Sequence, residues 1–215
     1  MPVRKIPKNY RNITGVHASE KSIGEAQFES TLERDFVTVL EFSPEIDQFE
    51  VQPVTIKWQT SDRVHHKHTP DALIYFKPEI NRIPWLCEVK YRSDIAKNWA
   101  EYKPKFKQGI HFAKEHGWRY KIITEVEVRT PFLGNWQFLM RFKTIKPTNT
   151  AISSILHRLC EQQTSTPSAL LTSLTTDKYA QAELIPTLWH LIANRLIGAD
   201  LQIELTMQSS IWSLS

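Results

Sequence analysis

The sequence predicts an α/β fold, a mixed sheet flanked by helices, followed by a small helical domain that closes with a β-hairpin. Two apolar runs bounded by turn residues, 72–76 (ALIYF) and 85–91 (WLCEVKY), sit between stretches of helical periodicity at 22–42 and 94–116. The segment Lys146-Pro147-Thr148-Asn149 reads as a linker, and the charge balance changes there. Residues 1–143 carry 23 lysines and arginines against 18 acids, whereas residues 144–215 carry 4 against 5. The basic part is the better candidate for touching nucleic acid and the near-neutral part for touching protein.

Each element has its own signal. Residues 1–20 form a basic arm, in which Arg4, Lys5, Lys8 and Arg11 precede the first acid, Glu20. Over 22–42, Phe28, Leu32, Phe36, Val39 and Leu40 recur at three- and four-residue spacing, and Ser43-Pro44 ends the helix. Residues 49–58 read as a strand interrupted at Pro53, followed by a polar turn and the cluster His65, His66, Lys67, His68. The strands 72–76 and 85–91 are joined by a hairpin loop, and 94–116 is helical, with Pro104 marking a break or a first turn. Gly117 is a natural helix cap before a strand at 118–124. Beyond the linker, Ile152, Ile155, Leu156 and Leu159 give one helix, Thr166-Pro167 starts a second and Asp177 caps a third that Pro186 interrupts. Leu196–Ala199 and Ser210–Leu214 pair as a small wing, so the tail reads as a winged helix. The expected domains are an arm over 1–20, a first domain over 21–145 and a docking domain over 148–215.

Composition narrows the function. At 41% hydrophobic and 23% charged, the chain is an ordinary globular protein. Its two cysteines, Cys87 and Cys160, make neither a disulfide framework nor a zinc pattern. The basic N-terminus lacks the apolar core of a signal peptide, and no apolar run spans a bilayer, so a cytoplasmic, DNA-associated protein with no membrane partner is expected.

The chemistry lies in Thr69-Pro70-Asp71 and, further on, Glu88-Val89-Lys90. Alternation along a strand puts Glu88 and Lys90 on one face. If Asp71 lies on the neighbouring strand, two carboxylates and an amine converge. A phosphodiester is anionic and resists water, so its hydrolysis needs charge neutralisation and positioning. Asp71 and Glu88 supply carboxylate oxygens for Mg²⁺, and the carbonyl of Val89 is a natural third ligand. Lys90 holds or deprotonates the attacking water, and a nearby cation should push it towards its neutral form. Glu33, with Glu29 one turn away as a competitor, is the upstream candidate to complete the site. His66 and His68 share a face and are assigned to phosphate contact or plain exposure, since no acid or cysteine joins them at zinc spacing. Arg92, Lys97, Lys103, Lys105, Lys107 and Lys114, interleaved with Trp99, Tyr102 and Phe106, form a phosphate-tracking surface after Lys90.

Taken together, Phe28 to Phe36 (FESTLERDF), Phe49 to Pro53 (FEVQP), Thr69-Pro70-Asp71 and Glu88 to Arg92 (EVKYR) resemble TnsA, the endonuclease subunit of heteromeric bacterial transposases. The resemblance covers about residues 24–124 and, more loosely, the tail. It implies a restriction-endonuclease-like core in which Glu33, Asp71 and Lys90 match the family's catalytic positions. Glu88 stands where the best-known branch has a glutamine ligand. It further implies one or two Mg²⁺ ions, with Mn²⁺ able to substitute, and cleavage of the 5′ ends of transposon DNA. A TnsB-like transposase would process the 3′ ends, and a TnsC-like AAA+ ATPase would engage the tail. The alternatives are a stand-alone restriction or repair nuclease and a DNA-binding regulator without activity.

Overall fold

The structure is a computed structural model that describes residues 15–17, 19–59 and 63–214. Most of the basic arm expected over 1–20, and the tip of the polar turn at 60–62, lie outside the described residues. The chain divides into two compact units, Met1–Arg129 and Thr130–Ser215. None of the described helices is long and apolar enough to cross a membrane.

The first unit opens with two short strands, β1 (Gly15–His17) and β2 (Ala26–Phe28), paired antiparallel. Helix α1 (Thr31–Phe42) follows. The expected helix over 22–42 is therefore shorter by its first turns. Phe28 does fit the helical stripe, but Gly24 adopts φ 87°, and extended Ser30 caps the helix by accepting the Glu33 N–H. Strand β3 (Ile46–Val51) leads to a two-stranded ribbon of β4 (Ile56–Gln59) and β5 (His65–His68). Then come β6 (Ala72–Phe76), a 3-10 turn at Pro78–Ile80 and β7 (Trp85–Val89). Helices α2 (Arg92–Lys97) and α3 (Trp99–Glu115) cross over to β8 (Arg119–Ile123), and α4 (Glu125–Val128) ends the unit.

The main sheet runs β3-β6-β7-β8, with the first two pairings antiparallel and β7-β8 parallel. It is the expected mixed sheet. Central β7 is covered on both faces, which is why it reads as a nearly continuous apolar run with one acid, Glu88, inside it. The helical crossover breaks at Asn98, while Pro104 lies inside α3. The proline withholds one N–H near the exposed start of α3, and packing by Phe106, Gly109 and Ala113 carries the helix across it. Ala113 joins Ile56, Leu73 and Leu86 in a core cluster that fixes α3 and the ribbon to the sheet.

The second unit contains α5 (Pro131–Lys143), α6 (Asn149–Gln162), β9 (Thr164–Ser165), α7 (Pro167–Leu174), α8 (Lys178–Ala193), β10 (Ile197–Ala199) and β11 (Ile211–Ser213). Thr148, Thr166 and Asp177 cap α6, α7 and α8 through their side chains. Helix α8 continues through Pro186, and β10-β11-β9 form an antiparallel sheet. The sequence reading placed residues up to 145 in the first domain, whereas α5 belongs to the second unit. The Phe138 ring meets Trp189 of α8 edge-on at 5.3 Å, and His190 Nδ1 lies 2.9 Å from the Phe142 carbonyl.

Gly109 brings α3 close against the sheet. A Cβ there would stand 2.3 Å from the Tyr120 ring. Alanine would gain about 1 kcal/mol of helix propensity, but forcing a methyl against a packed ring costs about 1–3 kcal/mol. The clash prevails, so Gly109→Ala is expected to lower the denaturation midpoint in urea with an unchanged slope.

Candidate active site

Three elements of the first unit meet at the C-terminal end of β7. Asp71 stands just before β6, where its N–H donates to the Cys87 carbonyl and its own carbonyl accepts the Gln52 N–H, both at 2.9 Å. The backbone is thus clamped between β3 and β7, and the carboxylate turns towards the end of β7. There Asp71 Oδ2 accepts the Val89 N–H at 2.7 Å. Lys90 is anchored by its own N–H on the Ile123 carbonyl at 3.0 Å. Its ammonium lies 3.1 Å from Asp71 Oδ2, 3.1 Å from Glu88 Oε1 and 3.0 Å from the Val89 carbonyl oxygen. Two carboxylates on neighbouring strands and one backbone carbonyl therefore surround a single positive charge.

Glu88 is 2% exposed. Its second oxygen, Oε2, sits 2.8 Å from His68 Nε2, an ion-pair distance. The sequence reading assigned His68 to phosphate contact or the surface; its side chain is largely covered against this carboxylate, and it lines the cleft. In the ribbon register His68 faces Ile56, at the end where the strands enter the core, whereas His66 stacks on Trp58 at 5.3 Å. His66 is exposed, as expected.

Burial and the charge of Glu88 raise the Asp71 carboxyl to about 8, although Lys90 and the Val89 N–H pull the other way and Glu33 adds to the rise. Burial would raise Glu88 too, but the His68 ring and Lys90 outweigh it and hold it below the usual carboxylate range. The negative charge of the pair thus settles on Glu88. Burial alone would lower Lys90, yet the two carboxylates hold its ammonium well above its ordinary value.

Glu33 and Glu29 both line the cleft with these residues. The Glu33 carboxylate is held at the start of α1, where Oε2 accepts the Glu29 N–H at 2.7 Å and Oε1 accepts the Ser30 hydroxyl at 3.0 Å. A second network ties α1 to the chain beyond Lys90. The Arg129 guanidinium reaches Asp35 Oδ2 at 3.2 Å and the Tyr91 hydroxyl at 2.9 Å, and Thr31 Oγ1 is 3.1 Å from the same hydroxyl. Asp35 is 5% exposed, so this buried charge is met by Arg34 as well as Arg129. Nothing in the spacing of residues 35, 91 and 129 announced that network.

The cleft has a volume of about 860 Å³. Of the lysines expected to track phosphates, Lys105 lines it, paired to Glu101 at 2.6 Å. Arg92, Lys97, Lys103, Lys107 and Lys114 are exposed and do not. Lys57 and Lys67 of the ribbon line it, and the sequence reading gave them no role. Alternation in Ile56-Lys57-Trp58 was the signal for Lys57, since apolar neighbours on both sides point a strand lysine the other way.

Among the described residues no three His, Cys, Asp or Glu side chains are gathered closely enough to cage a metal. What the site offers a cation is the set already around the ammonium: Asp71 Oδ2, Glu88 Oε1 and the Val89 carbonyl. Those are hard oxygen donors in an open cleft. They fit an ion that prefers oxygen and keeps several waters, as Mg²⁺ does.

A mixed sheet with flanking helices and an acidic pair beside a lysine defines the class, a restriction-endonuclease-like α/β nuclease. Residues 43–125 match the family model for the TnsA-like endonuclease N-terminal domain, and residues 127–201 match that for the TnsA endonuclease C-terminal domain. The chain belongs to the TnsA-like endonuclease family, the nucleases of transposon DNA. The first match begins after α1, so Glu33 lies outside it. No curated protein matches the chain.

The raised Asp71 carboxyl has a consequence for stability. In the unfolded chain the group ionises near 3.8, and in the fold near 8. Between those values the fold holds a proton that the unfolded chain has released, so this contribution to stability is complete below pH 3.8 and is lost as pH rises through 8. Asp71→Asn removes the dependence. In thermal melts with chelator present, the wild type should lose ground to Asp71→Asn steadily across that window, and a gap independent of pH would contradict the assignment.

Proposed function

We propose that this chain is a Mg²⁺-dependent endonuclease that cleaves the 5′ ends of a transposon, acting with a TnsB-type transposase and a TnsC-type ATPase. The observation that carries the reading is the convergence of Asp71 Oδ2, Glu88 Oε1 and the Val89 carbonyl, each within 3.1 Å of one cation, the Lys90 ammonium, on the wall of an open cleft.

In this reading Asp71, Glu88 and the Val89 carbonyl hold the metal, with Glu33 beside them in the cleft. A bound Mg²⁺ supplies Lewis acidity towards a phosphate oxygen and makes a water more acidic. The remaining work belongs to the chain. Lys90 reaches both acids, so its N–H groups can hold the attacking water in line and meet the charge that builds on the phosphoryl oxygens. His68 and the Val89 N–H fix the two carboxylates, and the capping contacts of α1 fix Glu33. The products expected of water attacking the phosphorus are a 5′-phosphate and a 3′-hydroxyl. The second unit is read as a winged-helix-like docking domain. Three capped helices and a three-stranded antiparallel sheet support that reading, as does a near-neutral charge of 6 lysines and arginines against 5 acids over residues 130–215.

The test is strand-specific cleavage of labelled transposon ends, with purified partners, with and without Mg²⁺. Cleavage at the 5′ ends should require both the metal and the partners. Lys90→Ala should slow it by about 10²–10⁴-fold, and Asp71→Ala at least as much, with circular dichroism confirming folded protein. Unaltered 5′-end cleavage by folded Lys90→Ala would sink the proposal. Equal cutting of plain duplex without partners would point to a stand-alone nuclease.

A further inference from the structure

We propose that the β4-β5 ribbon is a phosphate grip for duplex DNA, with Lys57 and Lys67 together holding one backbone phosphate beside the catalytic cleft. The inference deepens the nuclease reading and rests on it for the identity of the ligand.

Lys57 and Lys67 stand directly opposite each other in the ribbon register. Paired residues of an antiparallel ribbon share a face, and like charges facing each other there are destabilising. Neither ammonium has an ion pair or a hydrogen bond among the described residues. Lys105, across the same cleft, is by contrast neutralised by Glu101.

The ribbon is not a loose flap on which two lysines happen to be wet. On its other face Ile56 is buried in the core cluster with Leu73, Leu86 and Ala113, and Trp58 packs against that cluster while stacking on His66. That packing aims the lysine pair outward, and both line the cleft that holds Asp71, Glu88 and Lys90. Thr55 and Thr69, whose hydroxyls are 3.0 Å apart at the base of the ribbon, line it too and add neutral donors. The floor of the cleft is acidic, with Glu29, Glu33, Asp71 and Glu88, and would by itself repel a polyanion. Two unneutralised ammonium groups next to that floor supply what a phosphate needs to come close. The contact carries no base sequence information; it sets the position of the backbone.

The experiment is equilibrium binding of the full chain to a short fluorescent DNA duplex, with Ca²⁺ in place of Mg²⁺, over a salt series. Each neutralised phosphate contributes about 0.9 to the slope of log K against log salt, so K57A/K67A, which loses the one phosphate the pair holds, should lower the slope by about 0.9. K57R/K67R should keep the wild-type slope. The charge-matched control K77A/K178A, at positions that do not line the cleft, should change it little. Thermal melts should find K57A/K67A at least as stable as the wild type, since a repulsive pair is gone. A K57A/K67A slope equal to that of the wild type, or a control that lowers it as much, overturns the proposal. Asp71→Ala separates the two readings. If it cleaves like the wild type, the nuclease assignment fails, and the salt slope still decides whether the ribbon binds phosphate.

Discussion

Two carboxylates brought face to face inside a protein repel each other, and taking each from water costs several kcal/mol. Here that repulsion is contained by one ammonium. Lys90 Nζ touches Asp71 and Glu88 at the same distance, 3.1 Å, and the rest of the first unit is arranged to keep it so. The β6-β7 register, Ala72 against Cys87, places Asp71 alongside Glu88. A slip of one residue would exchange Glu88 for Cys87 or Val89 on that face. Parallel β8 covers the other edge of β7 and fixes the Lys90 backbone through Ile123. A helical crossover is what permits that parallel pairing, and Gly109 lets the crossover pack closely on Tyr120.

The site is also braced from outside. Glu33 approaches from α1, an element that is not part of the sheet. Its position relative to Lys90 depends on contacts between helix and strand end: Thr31 and Asp35 on one side, Tyr91 on the other, with the Arg129 guanidinium between them. Arginine suits that place because its planar fork can meet a carboxylate and a hydroxyl at once, which a lysine point charge would not do as well. The ring of Tyr91 lies 5.4 Å from the same guanidinium, so the residue directly after Lys90 serves the brace.

Much of this was readable in the residues. Short apolar runs at 72–76 and 85–91 became β6 and β7, the second ending at Val89, and the caps at Thr166 and Asp177 started the helices they announced. Asp71, Glu88 and Lys90 came from spacing alone, because alternation along a strand is a strict rule. What escaped depended on tertiary context. Phe28 has the spacing of a helical residue, but a glycine at positive φ and a serine cap assign it to a strand. Pro104 looked like the break in the crossover, although packing carried the helix through it and the chain broke at Asn98. His68 was read as a phosphate contact or a surface residue, and nothing in its spacing announced that the ribbon register would put it beside Ile56, against the buried Glu88. Helix α5 was the least readable stretch, since its fate is set by Trp189 and His190, some fifty residues later.

Assigning α5 to the second unit also changes the electrostatic argument. Arg141 and Lys143 leave the first unit with it, and the basic excess there shrinks to 21 lysines and arginines against 18 acids. So small a surplus does not by itself draw in a polyanion. Placement decides instead. The acids of the first unit that matter are sunk in the floor of the cleft, where burial, an ammonium and a histidine already temper them. Lys57 and Lys67 stand on the wall, and neither forms an ion pair among the described residues. At physiological salt, interactions between exposed charges fade beyond roughly 8 Å. A phosphate arriving at the ribbon therefore responds to those two ammonium groups more than to the protein's net charge, and the unpaired wall can attract the backbone that the acidic floor would otherwise turn away.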